Sequence, residues 1–288
     1  MHPLTVTWAP HMYTDWGWHN FQQWIHAGFD NYLCTPNGMT HRLLTRLAVD
    51  NLLHPFQPFI IGQKNLAPRM SLTFGIPLVF YGENEAEYGN PVADSSRATR
   101  NKEYYTTDCA DDIYLGGVHV GQLRTDYHLT EADLHPYLPI YTGTTYPQIH
   151  YLGYYLKWHP QSAYYYTMQH CNWHPSPVRT PGTYSKYNSI DDKIDDFHYY
   201  TTFIKFGIGR ATYDASQEVR SGDITREEAV ALIHKYDGEY PVRFEQDFFD
   251  YINVPGFSTM DRNSFFIHCD KFKSPHLWHD HRLLHRVT

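Results

Sequence analysis

The run Phe80-Tyr81-Gly82-Glu83-Asn84-Glu85-Ala86-Glu87-Tyr88-Gly89 sets three carboxylates at alternating positions behind a glycine. Carboxylate oxygens are hard ligands, so Glu83 and Glu85 can hold Mg²⁺ and through it orient phosphates, while Gly82 lets a ligand approach the backbone next to Asn84. A solvated turn is the competing reading. The run lies directly behind an apolar strand, and this favours ligand binding. Lys157-Trp158-His159-Pro160 stands in the same relation to a later strand. There Lys157 can neutralise a phosphate and His159 can donate a proton, although a lysine lying along the surface and a capping histidine read equally well.

Ser189-Ile190-Asp191-Asp192-Lys193-Ile194-Asp195-Asp196 stacks like charges four residues apart. Each such pair costs roughly 0.2–0.5 kcal/mol on a helix surface, so a nearby cation is expected to compensate unless the helix dipole alone does so. Farther on, Lys205-Phe206-Gly207-Ile208-Gly209-Arg210-Ala211-Thr212-Tyr213-Asp214 combines two cations with two glycines. Its spacing is not the dinucleotide fingerprint, but Lys205 and Arg210 are candidates for an anionic substrate. His276, His279, His281 and His285 lack a His-Glu-x-x-His pattern and read as a solvated tail.

These groups need elements to position them. Leu4 to Ala9 reads as a strand stopped by Pro10, and Trp18, Phe21, Trp24 and Ile25 recur at helical spacing behind a cap at Thr14 or Asp15. Asp30 to Thr35 is a short strand, Leu43 to Leu52 an amphipathic helix, and Ile76 to Tyr81 an apolar run suited to a buried parallel strand. This alternation predicts an α/β fold with an open parallel sheet, whose ligands sit beyond the carboxyl ends of the strands, near Trp8, Thr35 and Tyr81. From about 90 to 147 the pattern breaks into a lid-like insertion with one short helix at Thr130 to Asp133. A strand over Ile149 to Lys157 and a helix over Pro160 to Cys171 follow. Ile190, Ile194, Phe197, Thr201 and Ile204 share a helical face, and Thr225-Arg226-Glu227-Glu228 is a capping box for a helix ending at Asp237-Gly238. The predicted division is an α/β domain over 1–175 and a mainly helical region over 176–288.

With 288 residues, 42% of them hydrophobic, the chain can build a real core. A net charge of −8 opposes a general nucleic-acid binder, because counterion release needs a basic surface. No long uncharged apolar window and no signal peptide are evident, so no membrane insertion and no secretion are expected. Four widely spaced cysteines fit neither a disulfide framework nor a thiolate zinc site, and a reducing cytoplasm suits them. The 25 tyrosines and 17% aromatic content suit sugar or nucleotide pockets without naming a ligand.

Several longer words carry a resemblance. Thr7-Trp8-Ala9-Pro10-His11, Phe56-Gln57-Pro58-Phe59-Ile60-Ile61-Gly62-Gln63-Lys64-Asn65, the Tyr81 to Gly89 run, Tyr154 to Gln161, Gly182-Thr183-Tyr184-Ser185-Lys186-Tyr187, Asp191 to Gly222 and Ser274 to Trp278 are similar to the bacterial N-acetyl sugar amidotransferase family. The resemblance implies a PP-loop ATP pyrophosphatase fold, of the adenine nucleotide alpha hydrolase-like type. It also implies conversion of an acetamido sugar, free or as a sugar nucleotide, to its acetamidino form in surface-polysaccharide or flagellin-glycan biosynthesis. ATP and Mg²⁺ are the implied cofactors, and a separate glutaminase with a cyclase-like companion the implied source of ammonia. Family members carry a strand and a Ser-Gly-Gly-x-Asp-Ser loop ahead of the segment matching Leu4 to Ala9. No such loop occurs in this sequence. An N-terminally incomplete copy is therefore expected, with the strand at 4–9 beside a missing first strand and ATP binding weakened. A non-catalytic sugar-nucleotide-binding or subunit-docking protein is the alternative.

The expected site gathers Glu83, Asn84, Glu85, Lys157, His159, Lys186, Lys205, Arg210 and Asp214 in one cleft. The acids face Mg²⁺, the cations face phosphate or a sugar acid group, and His159 stands near the reacting amide, with Lys157, His159 and Asp214 as the catalytic set. Trp8, Thr35 and Gly82 would border the nucleotide.

Overall fold

A computed structural model describes residues 2–82, 96–141, 145–279 and 282–283. Strand β1, Leu4–Trp8, alternates apolar and hydroxyl side chains, so Val6 and Trp8 turn to one face and Thr5 and Thr7 to the other. Helix α1, Asp15–His26, starts where the Thr14 hydroxyl accepts from the Gly17 amide. It returns the chain to β2, Asp30–Cys34, which pairs with β1 in parallel with Val6 opposite Tyr32. Helix α2, Gly38–Leu52, is capped by Asn37, and α3, Gln57–Phe74, ends on Gly75 at a φ of 65° that favours glycine. Strand β3, Leu78–Tyr81, then pairs in parallel with β4, Gln148–Tyr151.

The single open sheet expected from the alternation is instead two separate two-stranded parallel sheets, β1-β2 and β3-β4. Helix α3 carries both: the Trp8 indole lies against Gly62, and the Tyr81 hydroxyl donates to the Lys64 carbonyl at 3.0 Å. The apolar run at 76–81 is also not a fully buried strand, since Leu78 and Phe80 are 42% and 50% exposed on one face. Strand β4 stops at Tyr151, short of the predicted Lys157, and a helical turn, Leu152–Tyr155, follows. Residues 152–157 contain no β-branched side chain to hold them extended.

The described part of the insertion, 96–141, is a wall of the core and not a lid. Leu115, Leu123, Leu134 and Tyr137 are fully buried against Trp8, Leu44, Leu47 and Leu66. The helix read at Thr130 is present as Glu131–Leu134 with its capping box to Asp133. A second helix, Val120–Asp126, and several two-residue strands accompany it, each too short to leave a periodic signal.

The rest is helical: α4 Pro160–His170, α5 Asp195–Phe206, α6 Arg210–Ser221, α7 Arg226–Tyr236, α8 Glu245–Ile252 and α9 Arg262–Asp270. Ile190, Ile194, Phe197, Thr201 and Ile204 are all buried, as their spacing predicts, although the helix itself starts only at Asp195. The Thr225–Glu228 capping box opens α7. Packing runs across residue 175, because Val49, Leu53 and Phe56 share one core with Phe197, Phe248 and Phe265. Phe197 and Phe248 stack with centroids 3.8 Å apart. At the carboxyl end of α2, Lys205 donates to the Leu52 carbonyl at 3.0 Å, and a ring nitrogen of His268 lies 2.9 Å from that of Val49. Cationic and N–H donors there satisfy carbonyls that a helix end leaves open. Among the described residues no helix is long and apolar enough to cross a membrane.

Candidate functional site

A cleft of about 440 Å³ opens beyond the carboxyl end of β1, between α1 and α4. Thr7, Pro10 and Tyr13 form its floor, Phe21 and Trp24 of α1 and then Phe29 one wall, and Thr167, Cys171 and Trp173 the other. Asp191 closes the third side. Strand parity decides which residue of the Thr7-Trp8 pair takes part. Successive side chains point to opposite faces, so Thr7 borders the cleft while Trp8, 4% exposed, is sealed in the core with its ring 5.3 Å from that of Tyr137.

The floor is held by a zipper between two loops far apart in sequence. The Thr14 amide donates to the Asp191 carbonyl at 3.0 Å, the Lys193 amide to that of Met12 at 2.9 Å, and the Thr14 hydroxyl to that of Ile190 at 2.6 Å. The Asp192 carboxylate accepts from the His11 and Ile194 amides at 2.6 and 2.9 Å and meets His11 Nδ1 at 2.7 Å. Gly17 makes this crossing possible, since a Cβ there would lie 2.5 Å from Asp191 Cα and 2.7 Å from its carbonyl oxygen. Gly17→Ala gains about 1 kcal/mol of helix propensity, but the clash is with backbone and its cost of about 1–3 kcal/mol is expected to win. The urea midpoint of the variant should fall; an unchanged or higher midpoint would show that the loops move apart freely.

Tyr13 lines the cleft, but its hydroxyl is buried away from the open space, with no hydrogen-bond partner among the described residues, and burial, followed by nearby Asp191 and Asp192, pushes its pKa up to about 12. At pH 7 it is a neutral phenol able to donate. The other amide side chains of the lining are already engaged, Asn20 with the backbone of His174 and Gln23 with the His19 carbonyl. None of the described lining residues is a Lys, Arg or His.

None of the described residues predicted from sequence lines this cleft, and two of them, Arg210 and Asp214, lie on α6. Arg210, proposed to meet an anionic substrate, is buried: its guanidinium donates to the Asn188 and Ser189 carbonyls, lies 3.5 Å from Asp196, and covers the Tyr199 ring. Asp214, proposed as catalytic, is equally buried and accepts from Thr183 and Asn188. One turn on, Glu218 accepts from Tyr184, Tyr187 and Gln161 at 2.7, 3.1 and 3.2 Å. Beyond the helix, Asp223 stands 3.3 Å from His159, whose Nδ1 accepts from the Ser162 amide and caps α4. These carboxylates and cations satisfy one another and pin the 183–189 loop, so their arrangement is that of a structural tie. The expected stacking of Asp191 over Asp195 and Asp192 over Asp196 does not form, because α5 starts only at Asp195; Asp196 pairs with Arg210 and Arg243, the latter through Nε and a terminal nitrogen at 3.0–3.2 Å, while Asp192 meets His11.

Lys186 and Lys157 are exposed, and Thr35 is exposed at the end of β2. Lys205 is committed to Leu52 at the end of α2, away from the cleft lining. Gly82 ends β3 beside Gly153, so the two strand ends do adjoin. Glu83, Asn84 and Glu85, with His281 and His285, lie outside the described residues. Among the described residues no group of three or more His, Cys, Asp or Glu is placed to hold a metal ion. Sequence reasoning missed Tyr13 and Asp191 as cleft residues. The expected nucleotide neighbour on β1 was Trp8; the strand's alternation instead turns Thr7 to the cleft and Trp8 into the core, and the chain crossing at Gly17 brings Asp191 to it.

Residues 181–288 match the family model described as LPS biosynthesis protein WbpG-like, C-terminal domain. The match points to lipopolysaccharide biosynthesis. No curated protein matches the chain. The matched stretch contains Asp191, the one described lining residue that falls within it, and Arg210, Asp214 and Glu218 of α6, while the tie partners His159 and Gln161 lie outside it.

Proposed function

We propose that this chain is an ATP-dependent amidotransferase that converts the acetamido group of a sugar to an acetamidino group in the cytoplasm, on the route to lipopolysaccharide. On this reading the amide oxygen attacks the α-phosphorus of ATP and releases pyrophosphate, ammonia adds to the activated carbon, and AMP leaves. Covalent activation divides one high barrier into two lower ones. Ammonia comes from a separate glutaminase working with a cyclase-like partner. The observation that carries the reading is the match of residues 181–288 to the lipopolysaccharide biosynthesis model, a stretch that contributes Asp191 to the cleft beyond β1.

Of the cations predicted to meet phosphate, Arg210 is spent on Asp196, Asn188 and Ser189, Lys205 holds Leu52, and Lys157 and Lys186 are exposed; the described residues of the cleft lining include no positive side chain. No step at phosphorus is therefore assigned to these residues. The same observation favours a second reading, a sugar-nucleotide-binding or subunit-docking protein without turnover. AMP release from ATP separates the two, measured with and without UDP-N-acetylglucosamine and ammonium chloride. The chain alone is expected to release none. Extension ahead of Leu4 by a strand and a Ser-Gly-Gly-x-Asp-Ser loop should give release that depends on both sugar and ammonium. If the extended protein still releases none while binding the sugar nucleotide, the second reading stands.

A further inference from the structure

We infer that the outward face of α4 binds a second copy of this chain, the two helices crossing antiparallel with Tyr165 near the crossing point. Helix α4 has two sides of different character. Inward, Pro160 is buried, Gln161 donates to Glu218 at 3.2 Å, Tyr164 stacks on Tyr187 with centroids 4.5 Å apart, and Thr167 and Cys171 border the cleft. Outward, Ser162, Tyr165, Tyr166 and Gln169 recur at helical spacing in one stripe, and all four are exposed. Tyr165 and Tyr166 keep 61% and 62% of their surface open.

The outward side of a surface helix ordinarily carries charge, as α7 does with Arg226, Glu227, Glu228 and Lys235 exposed. Helix α4 has no Asp, Glu, Lys or Arg. It lies within a run from Leu134 to Ile190 that contains no carboxylate side chain, in a chain that has 31 of them. Two copies, each with a net charge of −8, repel one another as wholes. The α4 faces meet without adding a charge of their own to that repulsion.

The stripe is also complementary to itself. A hydroxyl of Ser162, Tyr165 or Tyr166 and the Gln169 amide each donate and accept, and a twofold interface uses the same patch on both sides. A membrane is the poorer match. Interfacial helices set Lys and Arg beside their aromatic residues to meet anionic headgroups, and α4 has neither.

The area is sufficient. Tyr154, Tyr155, Leu156 and Trp158, in the segment leading into α4, are also more than half exposed. In an antiparallel crossing this segment of one copy reaches toward the Met168 end of α4 in the other. Tyr154, Tyr155, Trp158, Tyr165 and Tyr166 together offer roughly 400–700 Å², at about 150–250 Å² for a whole aromatic side chain. Leu156, Met168 and Gln169 bring this toward the ~800 Å² per partner of a standard interface. Because Thr167 and Cys171 face the other way, pairing leaves the cleft open.

Sedimentation velocity of the full chain, from nanomolar to high micromolar concentration, tests the pairing. The parent should form a dimer that dissociates on dilution. Tyr165→Glu sets like charges against each other at the crossing and should weaken the dimer at least about tenfold, and Tyr165→Lys should do the same. Mixed in equal amounts, these two variants should associate again, which requires both a retained fold and a face that meets itself. Ile267→Glu, at an equally open apolar position on α9, should leave the dimer intact. A parent that stays monomeric throughout, a dimer that Tyr165→Glu leaves unchanged, or variants that remain apart when mixed would overturn the assignment. So would a monomeric chain that sediments with phosphatidylglycerol vesicles, since the face would then belong to a membrane.

Discussion

Arg210→Met is expected to lower the stability of the folded chain by about 3–5 kcal/mol, the usual cost of removing one partner from a buried charged network. The guanidinium is 1% exposed, and its removal strands the Asn188 and Ser189 carbonyls together with the surrounding acids. Burial already pushes the Asp195 carboxyl well above the ordinary aspartate range, with Arg210 pulling the other way. Asp214, one turn along α6, is pushed up by burial in the same manner. Arg243→Met should cost clearly less, since Arg243 is 16% exposed and Asp196 would keep Arg210. Urea unfolding of the two variants checks the order. Equal losses would mean that the two arginines hold the buried acids equally, and a larger loss for Arg243→Met would reverse the order. Arg210→Lys is not expected to rescue, because one ammonium does not span two carbonyls and a carboxylate in the plane that the guanidinium occupies.

Acid should destabilise the chain before any exposed carboxylate titrates, because its central histidines are buried neutral. Burial, and then the charge of Lys205, lowers the pKa of His54 to about 4, and burial lowers His41 and His198 well below the usual imidazole value. The rings form a packed column: His54 stacks on His198 at 5.0 Å, His198 on Phe56 at 4.9 Å, and Phe56 meets His11 at 4.7 Å. Above pH 6.5 both folded and unfolded chains hold His54 neutral, so its contribution is fully present. As pH falls from 6.5 toward about 4, the unfolded chain takes up a proton that the folded chain refuses, and stability is lost. His54 alone accounts for roughly 3 kcal/mol by pH 4, with His41 and His198 adding losses of the same sign. Asp195 works in the opposite direction, since its raised folded pKa lets the folded chain keep a proton that the unfolded chain has lost. Comparison with His54→Gln isolates the histidine. Between pH 6.5 and 4 the variant's stability should fall less steeply, by about 1.4 kcal/mol per pH unit; parallel slopes for variant and parent would rule out a neutral buried His54.

Local signals in the sequence were read correctly where short-range physics governs. Thr14, Thr130 and Thr225 cap the helices they were expected to cap, because a hydroxyl three residues ahead of an open amide is a contact within one turn. The buried face from Ile190 to Ile204 was likewise legible, since an apolar stripe at helical spacing has one place to go. His159 illustrates the limit. Its capping role was one of two local readings, and only the approach of Asp223 from the end of α6 shows how the ring is engaged.

Charge was the least legible property. Arg210, Asp214 and Lys205 look like a ligand-binding set in one dimension, yet each is paid for by partners 21 to 153 residues away, at Asn188, Ser189, Thr183 and Leu52. A sequence displays a charge but not its counter-charge, and a buried ion must find one. The sequence by itself determined the elements, their caps and the alternation that set Thr7 on one face of β1 and Trp8 on the other. Tertiary structure alone decided that these strands form two small sheets on α3, that the acids of α5 and α6 are ties, and that the Asp191 loop crosses α1 at Gly17 to complete the cleft. Backbone preferences act over a few residues, whereas packing and charge compensation depend on which distant segments meet.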